Sequence, residues 1–262
     1  MKTDQILDFW NSRANLGPLA GTNDFGLKQL EMETLATYIR DGQKVLDLGC
    51  GSGTTAFALN ESKNLEITGM DFSPEMVKEA NQERDKRGIS AEKLNFFVQD
   101  IREIDGLLRE QAGLYDVVMT ERVLINLETW EEQKNAIKKI MQLVKPGGLY
   151  LMCENLREGL ENLNLMRKDV GLEPIVSPWH NRYLQLEEVA EIDFAEIVEQ
   201  RDFTSVYYLF SRVINAWLAR ESGEEPKYDA PINRLSLELS KFSQFENLNV
   251  GQTRLWVLRR PI

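Results

Sequence analysis

The stretch VLDLGCGSGTT, Val45 to Thr55, sets three glycines, Gly49, Gly51 and Gly53, directly behind an apolar run that holds one acid, Asp47. Glycines in a turn between a strand and a helix let backbone N–H groups approach a ligand where a Cβ would clash. Two ligand classes use such a turn: dinucleotides and S-adenosylmethionine. The dinucleotide fingerprint is G-x-G-x-x-G; here the third glycine comes one residue early. A carboxylate at Asp47 would repel a pyrophosphate and attract an ammonium or sulfonium. The loop therefore suits a positively charged ligand without phosphate. A ligand-free tight turn is the alternative, but glycines at alternate positions cost chain entropy with no packing gain. Asp71 ends the next apolar run and is placed to accept both hydroxyls of a ribose, which either ligand class carries. Phe72 and Met76 follow, where they can pack on a sugar or an adenine.

These residues need a frame. Short apolar runs at 44–49, 65–71, 94–100, 116–120 and 147–155 read as strands. Ser73-Pro74-Glu75 is a helix start, with Ser73 as N-cap and Pro74 in the first turn, and that helix can run to Gly88. Trp130, Ile137, Ile140, Met141 and Val144 form one apolar helical stripe that Pro146-Gly147 should end. Strands alternating with helices imply a parallel sheet covered on both faces. After residue 155 the pattern changes: 156–182 read as loop-rich, 194–203 and 252–260 as two more strands, with a mainly helical insertion, about 204–250, between them. The first 26 residues read as an irregular flap, because Gly17-Pro18 and Gly21 break helices. The expected layout is one domain: flap 1–26, ligand-binding core 27–155, and substrate-side loops, cap and last strands 156–262.

VLDLGCGSG, GMDFSPEMV, FFVQDIRE, YDVVMTERVL and LVKPGGLYLM, in that order over residues 44–152, resemble the motif series of class I S-adenosylmethionine-dependent methyltransferases. The resemblance implies an α/β, Rossmann-like, seven-stranded and mostly parallel sheet, its last strand antiparallel between the fifth and sixth. It implies S-adenosylmethionine as cofactor, S-adenosylhomocysteine as product, and no metal. It places Asp100 on the adenine amino group, the Ile101 backbone on a ring nitrogen, and Thr120 with the cofactor set. The flap should close over the methionine end, with Trp10 covering it and the Arg13 guanidinium meeting its carboxylate. More loosely, TERVLINL, CENLREGLENLN, PWHNRYL and DFTSVYYLFSRVINA resemble methyltransferases of surface-polysaccharide and sugar modification.

Methyl transfer from a sulfonium is an in-line displacement, so positioning does most of the work. An alcohol acceptor also needs a base for its proton, whereas an amine need only be neutral. His180, the one histidine of the chain, lies in PWHNRYL beyond the fifth strand and is the candidate base; substrate binding or a structural hydrogen bond are its other readings. Glu121, Arg122 and Asn126 follow the fourth strand, and Glu154 and Asn155 end the fifth, all expected to face the acceptor. Many relatives carry histidine where Asn126 stands, so a base from that position is in doubt. Arg122, Asn181 and Arg182 are candidates for an anionic or sugar substrate. Tyr207, Tyr208, Phe210 and Trp217 of the cap suit core packing or a homodimer contact better than a ligand box.

With 31 basic and 42 acidic residues the net charge is −11, which disfavours nonspecific nucleic-acid binding. The Asn/Asp-Pro-Pro-aromatic motif of base-directed amino-methyltransferases is absent; TERV stands there. No run is long and apolar enough to span a bilayer and no signal peptide is evident, so a cytoplasmic protein is expected. Cys50 and Cys153 read as buried strand ends, not as a disulfide or metal pair. The expected activity is methylation of a small molecule, on an oxygen of a sugar or sugar-linked group. A small amine or amino sugar is the nearest alternative. An NAD-dependent oxidoreductase or a non-catalytic cofactor-binding partner are the readings from other classes.

Overall fold

The computed structural model describes residues 2–111 and 113–262. Seven strands form one sheet: β1 Lys44–Leu48, β2 Glu66–Asp71, β3 Leu94–Val98, β4 Tyr115–Glu121, β5 Val144–Asn155, β6 Glu196–Arg201 and β7 Thr253–Arg259. Their order is β3-β2-β1-β4-β5-β7-β6, and β7 runs antiparallel to both its neighbours. The expected class and topology are present. β1 sits at the switch point where the order reverses, the place where open α/β sheets bind ligands beyond the strand ends.

Among the described residues eleven α-helices surround the sheet: α1 Lys2–Arg13, α2 Phe25–Ala36, α3 Thr54–Ser62, α4 Pro74–Lys86, α5 Asp105–Gln111, α6 Trp130–Leu143, α7 Arg157–Asp169, α8 Leu186–Val189, α9 Ser205–Tyr208, α10 Asn215–Glu221 and α11 Pro231–Leu239. α4 begins as its sequence requires, Ser73 Oγ accepting from Met76 N at 3.2 Å with Pro74 in the first turn. A reciprocal capping box of Thr129 and Glu132 starts α6. The α6 stripe buries Ile137 and Ile140 with Leu46, Val118 and Trp256 on one sheet face. Each such isoleucine contributes about 1.5–3 kcal/mol. Phe57, Phe96, Leu151 and Tyr207 belong to the core of the other face.

Three local expectations are corrected. The N-terminal segment is irregular only from Ala14; before it α1 is a regular helix, because its first breaker is Gly17 and Ile6 and Trp10 fall one turn apart. α6 ends at Leu143, before Pro146-Gly147, because Val144 already pairs with Tyr115. Residues 157–169, read as loop, form α7, which buries Leu163. Between β6 and β7 the chain is helical, and a π-helical stretch, Leu209–Ile214, joins α9 to α10. Cys50 and Cys153 are buried free thiols, as their strand-end positions suggest. No described helix is long and apolar enough to cross a membrane.

Candidate active site

A cavity of about 650 Å³ opens beyond the C-terminal ends of β1, β2, β4 and β5. Its first half is built by the glycine turn. Gly49 and Gly51 line it, both with left-handed backbone (φ +75° and +53°). A Cβ on Gly49 would run into Val123, whereas one on Gly51 would meet nothing but open space. Gly51 therefore forms a cradle that a ligand can approach along the backbone. Gly53 is a correction: it does not line the cavity, and it is small because Phe57 and Phe96 pack against it at the start of α3.

Asp47 lines the cavity at 3% exposure, and its Oδ2 has no hydrogen-bond partner among the described residues. Burial, helped by the Glu121 and Asp71 charges, lifts its carboxyl to about 7. An orphaned buried carboxylate is expensive, and a cation placed beside it would relieve the cost. Asp71 accepts from Gly51 N at 2.9 Å and from Ser73 N at 2.9 Å. That ties the acid to the turn and leaves accepting capacity toward the cavity. Burial raises Asp71 to about 6. Phe72, Met76, Asp100 and Ile101 complete this half. Asp100 is held by the Arg102 guanidinium, whose Nη1 also bonds Thr3 Oγ1 of α1 at 2.7 Å.

α1 covers the cavity. Trp10 lines it, packs on Met76, Ala14 and Ala20, and donates from Nε1 to Asn126 Oδ1 at 3.2 Å. Arg13 also lines it, but its guanidinium bonds the Ala20 and Leu19 carbonyls at 2.6 and 3.1 Å, so it staples the segment after α1. His180 is buried in an aromatic nest, its ring 4.6 Å from Phe9, 5.2 Å from Trp179 and 5.7 Å from Trp10. It too lines the cavity, as does Asn181, whose Oδ1 is buried without a partner among the described residues.

The tips of β4 and β5 divide their expected residues. Glu121, Arg122 and Asn126 line the cavity, as does Asn155. Glu121 is ion-paired with Lys28, accepts from Thr55 Oγ1 at 2.8 Å, and sits well below the ordinary carboxylate range, at about 2, because the Lys28 and Arg122 charges outweigh burial. Arg122 has a left-handed backbone (φ +58°), a strained conformation for a non-glycine residue. Thr120 and Glu154 do not line the cavity. Both are fully buried: Thr120 bonds Tyr150 Oη at 2.8 Å, and Glu154 accepts from the N–H groups of Val123, Leu124 and Ile125 at 3.1, 3.1 and 3.4 Å. Glu154 thus holds the turn that carries Arg122 and Asn126. Arg182 is also outside the cavity, its guanidinium paired with Glu188 and bonded to Gln133 at 2.7 Å.

Lys28, Tyr183, Tyr208, Arg212 and Gln252 line the cavity although the sequence reading did not single them out as site residues. Lys28 lies on α2 and Gln252 precedes β7, so only the folded sheet brings them together. Tyr208 and Arg212 carried one legible signal: both sit in the aromatic cap segment, whose Tyr207 and Tyr208 are buried while Trp217 is exposed.

A parallel sheet with β7 reversed has the strand order expected of a class I methyltransferase, and a glycine turn and a buried acid stand at its switch point. The sequence matches the family described as methyltransferase domain over residues 39–188, and the chain belongs to that family. It is 28% identical over 146 residues to a ubiquinone biosynthesis O-methyltransferase of Coxiella burnetii, covering 56% of each chain. It is 30% identical over 142 residues to a carboxy-S-adenosyl-L-methionine synthase of Nautilia profundicola, covering 54% of this chain and 56% of the other. The chain thus spans about half the length of the curated relatives it matches. Magnesium protoporphyrin IX methyltransferase of Synechocystis, solved with bound S-adenosylhomocysteine, shares the fold: TM-score 0.56, 17% identity, 90% of this chain and 84% of that one covered.

Proposed function

We propose that this chain transfers the methyl group of S-adenosylmethionine to the hydroxyl of a small acceptor. The observation that carries the reading is Asp47, a buried carboxylate with one oxygen unpartnered among the described residues, beside the open cradle at Gly51. Those features fit a ligand that is cationic near the glycine turn and has no phosphate. When bound, S-adenosylmethionine supplies a methyl group activated by its positively charged sulfur. Asp47 and Lys28 would hold its amino-acid end, Asp71 would accept from its ribose hydroxyls, and Asp100 and Ile101 would hold its adenine against Phe72 and Met76. Arg13 helps only indirectly, by fixing the cover. Trp10 and α1 exclude water from the cavity. His180 takes the proton of the acceptor hydroxyl from its place in the aromatic nest, and Asn155, Asn126 and Asn181 orient the acceptor.

The expectation of a polysaccharide sugar gives way here to a small phenolic or related planar hydroxyl. The named O-methyltransferase relative supports a small-molecule oxygen acceptor. Trp179, Tyr183 and Tyr208 add aromatic faces at the acceptor end. Calorimetric titration tests the cofactor part. S-adenosylhomocysteine should bind and Asp47→Asn should weaken it about tenfold or more; binding of NADH without S-adenosylhomocysteine would overturn the reading.

A further inference from the structure

We infer that Gln252 selects the acceptor: its side-chain N–H donates to an uncharged oxygen, of a carbonyl or ether group, that the acceptor carries apart from the hydroxyl receiving the methyl. The inference rests on the reading of the cavity given above and adds the second polar group its acceptor must carry. Gln252 stands just before β7, is buried at 5% exposure, and lines the cavity. Its Oε1 accepts from Tyr183 Oη at 3.1 Å. Its Nε2 bonds no group among the described residues, yet it is not one of the nitrogens sealed inside the protein, so it opens on the cavity.

A short relay sets which way round the amide sits. Thr253 Oγ1 donates to Asn155 Oδ1 at 2.9 Å, which leaves Asn155 its N–H groups. The Asn155 side chain also hydrogen-bonds the Tyr183 hydroxyl. With its oxygen engaged, Asn155 offers that hydroxyl an N–H, and the hydroxyl gives its own proton to Gln252 Oε1. The Gln252 oxygen therefore faces Tyr183 and its N–H groups are left for a ligand. The chain on either side of Tyr183 is pinned: Arg182 N donates to Ile125 O at 2.6 Å and Leu184 N to Asn155 O at 3.0 Å. His180, the proposed base, lies three residues earlier, so its Cα is within about 11 Å of that of Tyr183. One substituted aromatic ring spans such a distance. The oxygen that suits Gln252 is uncharged, because the neighbouring cations are already matched: Lys28 by Glu121, Arg122 by Glu31 and Glu121, Arg212 by Asp24. An anion would find none of these free, whereas a carbonyl or ether oxygen needs only the N–H. A site with a buried donor rejects an analogue that leaves the donor unpaired.

The test uses the whole chain saturated with S-adenosylhomocysteine, so that the donor half of the cavity is filled. Three phenols of similar size are titrated calorimetrically: 4-hydroxyacetophenone, which has the extra carbonyl, 4-ethylphenol, which lacks it, and 4-hydroxybenzoate, which carries a charge in its place. 4-Hydroxyacetophenone should bind at least about tenfold more tightly than either of the others. Gln252→Glu keeps an oxygen for Tyr183 but removes the donor; it should abolish the preference over 4-ethylphenol while S-adenosylhomocysteine still binds. A Gln252 that only supports the fold would leave that ratio unchanged in the variant, and this result would overturn the inference. So would equal affinity for 4-hydroxyacetophenone and 4-ethylphenol, tighter binding of 4-hydroxybenzoate, or no binding of 4-hydroxyacetophenone to the unaltered chain, whether or not the variant folds. Failure of S-adenosylhomocysteine to bind would instead overturn the reading beneath it.

Discussion

Asp47 and His180 divide the work in the proposed reaction, one binding the donor and one serving the acceptor. Burial holds the Asp47 carboxyl at about 7, so the apo protein carries it partly protonated near neutrality. A cation binds the ionised form, so donor affinity should rise as pH increases from 6 to 8 and level off above the apo pKa. Calorimetry across that range checks this, and Asp47→Asn should flatten the slope. For His180, general-base catalysis is worth about 10²–10⁴ in rate. His180→Gln should lower kcat by at least about a hundredfold with S-adenosylhomocysteine affinity unchanged within twofold. Unchanged turnover in steady-state assays would remove His180 from the chemistry. Thr120 and Glu154, which lie off the cavity, show the limit of reading a strand tip from sequence. Neighbouring strand residues point to opposite faces. Glu121 enters the cavity while Thr120 turns to Tyr150, and Asn155 enters while Glu154 turns under the 122–126 turn.

The element that matters most for the acceptor end is that turn. Its three backbone donors converge on Glu154, an arrangement that suits a carboxylate and no other side chain of its size. Glu154→Gln would place an amide donor against them. It should destabilise the fold by about 1–3 kcal/mol, read by urea denaturation, and raise the acceptor KM more than the donor Kd, because Arg122 and Asn126 ride on the turn. The turn was half legible: TERVLIN could be placed beyond a strand, but the left-handed Arg122 and its buried anchor 32 residues later need the β4–β5 register. α1 was illegible for another reason. Its apolar residues Ile6, Leu7, Phe9 and Trp10 are confined to little more than one turn, too short a stretch to show a long stripe, and the helix is fixed by contacts far away in sequence, Thr3 with Arg102 and Trp10 with Asn126. Trp10→Ala should loosen this cover and weaken S-adenosylhomocysteine about tenfold in the same titration.

Across the molecule, the strand order was expected from the resemblance of the motif series to class I methyltransferases, with glycine turn, ribose acid and adenine acid each marking one strand end. Lys28, Arg212 and Gln252 did not follow, because no spacing links α2, the cap and β7 before the sheet is assembled. The same assembly concentrates buried acids, and this sets a pH dependence of stability. Asp47, Glu154 and Glu31 have folded pKa values raised by burial to about 7, 7 and 8. Raised acids contribute stability that is present below their unfolded values and lost as pH rises through the folded ones. Glu121, lowered to about 2, acts oppositely but only below about 4.5. The thermal midpoint of the apo protein should therefore fall between pH 5 and 8, and added S-adenosylmethionine should offset part of that fall; a midpoint that rises over this range would contradict the assignment. The central claim is that the donor lies in the cavity at the sheet's switch point. A crystal structure grown with S-adenosylhomocysteine tests it most directly: the account predicts its ammonium group beside Asp47, its ribose hydroxyls on Asp71 and its adenine beside Ile101, and density for the ligand anywhere outside this cavity would contradict it.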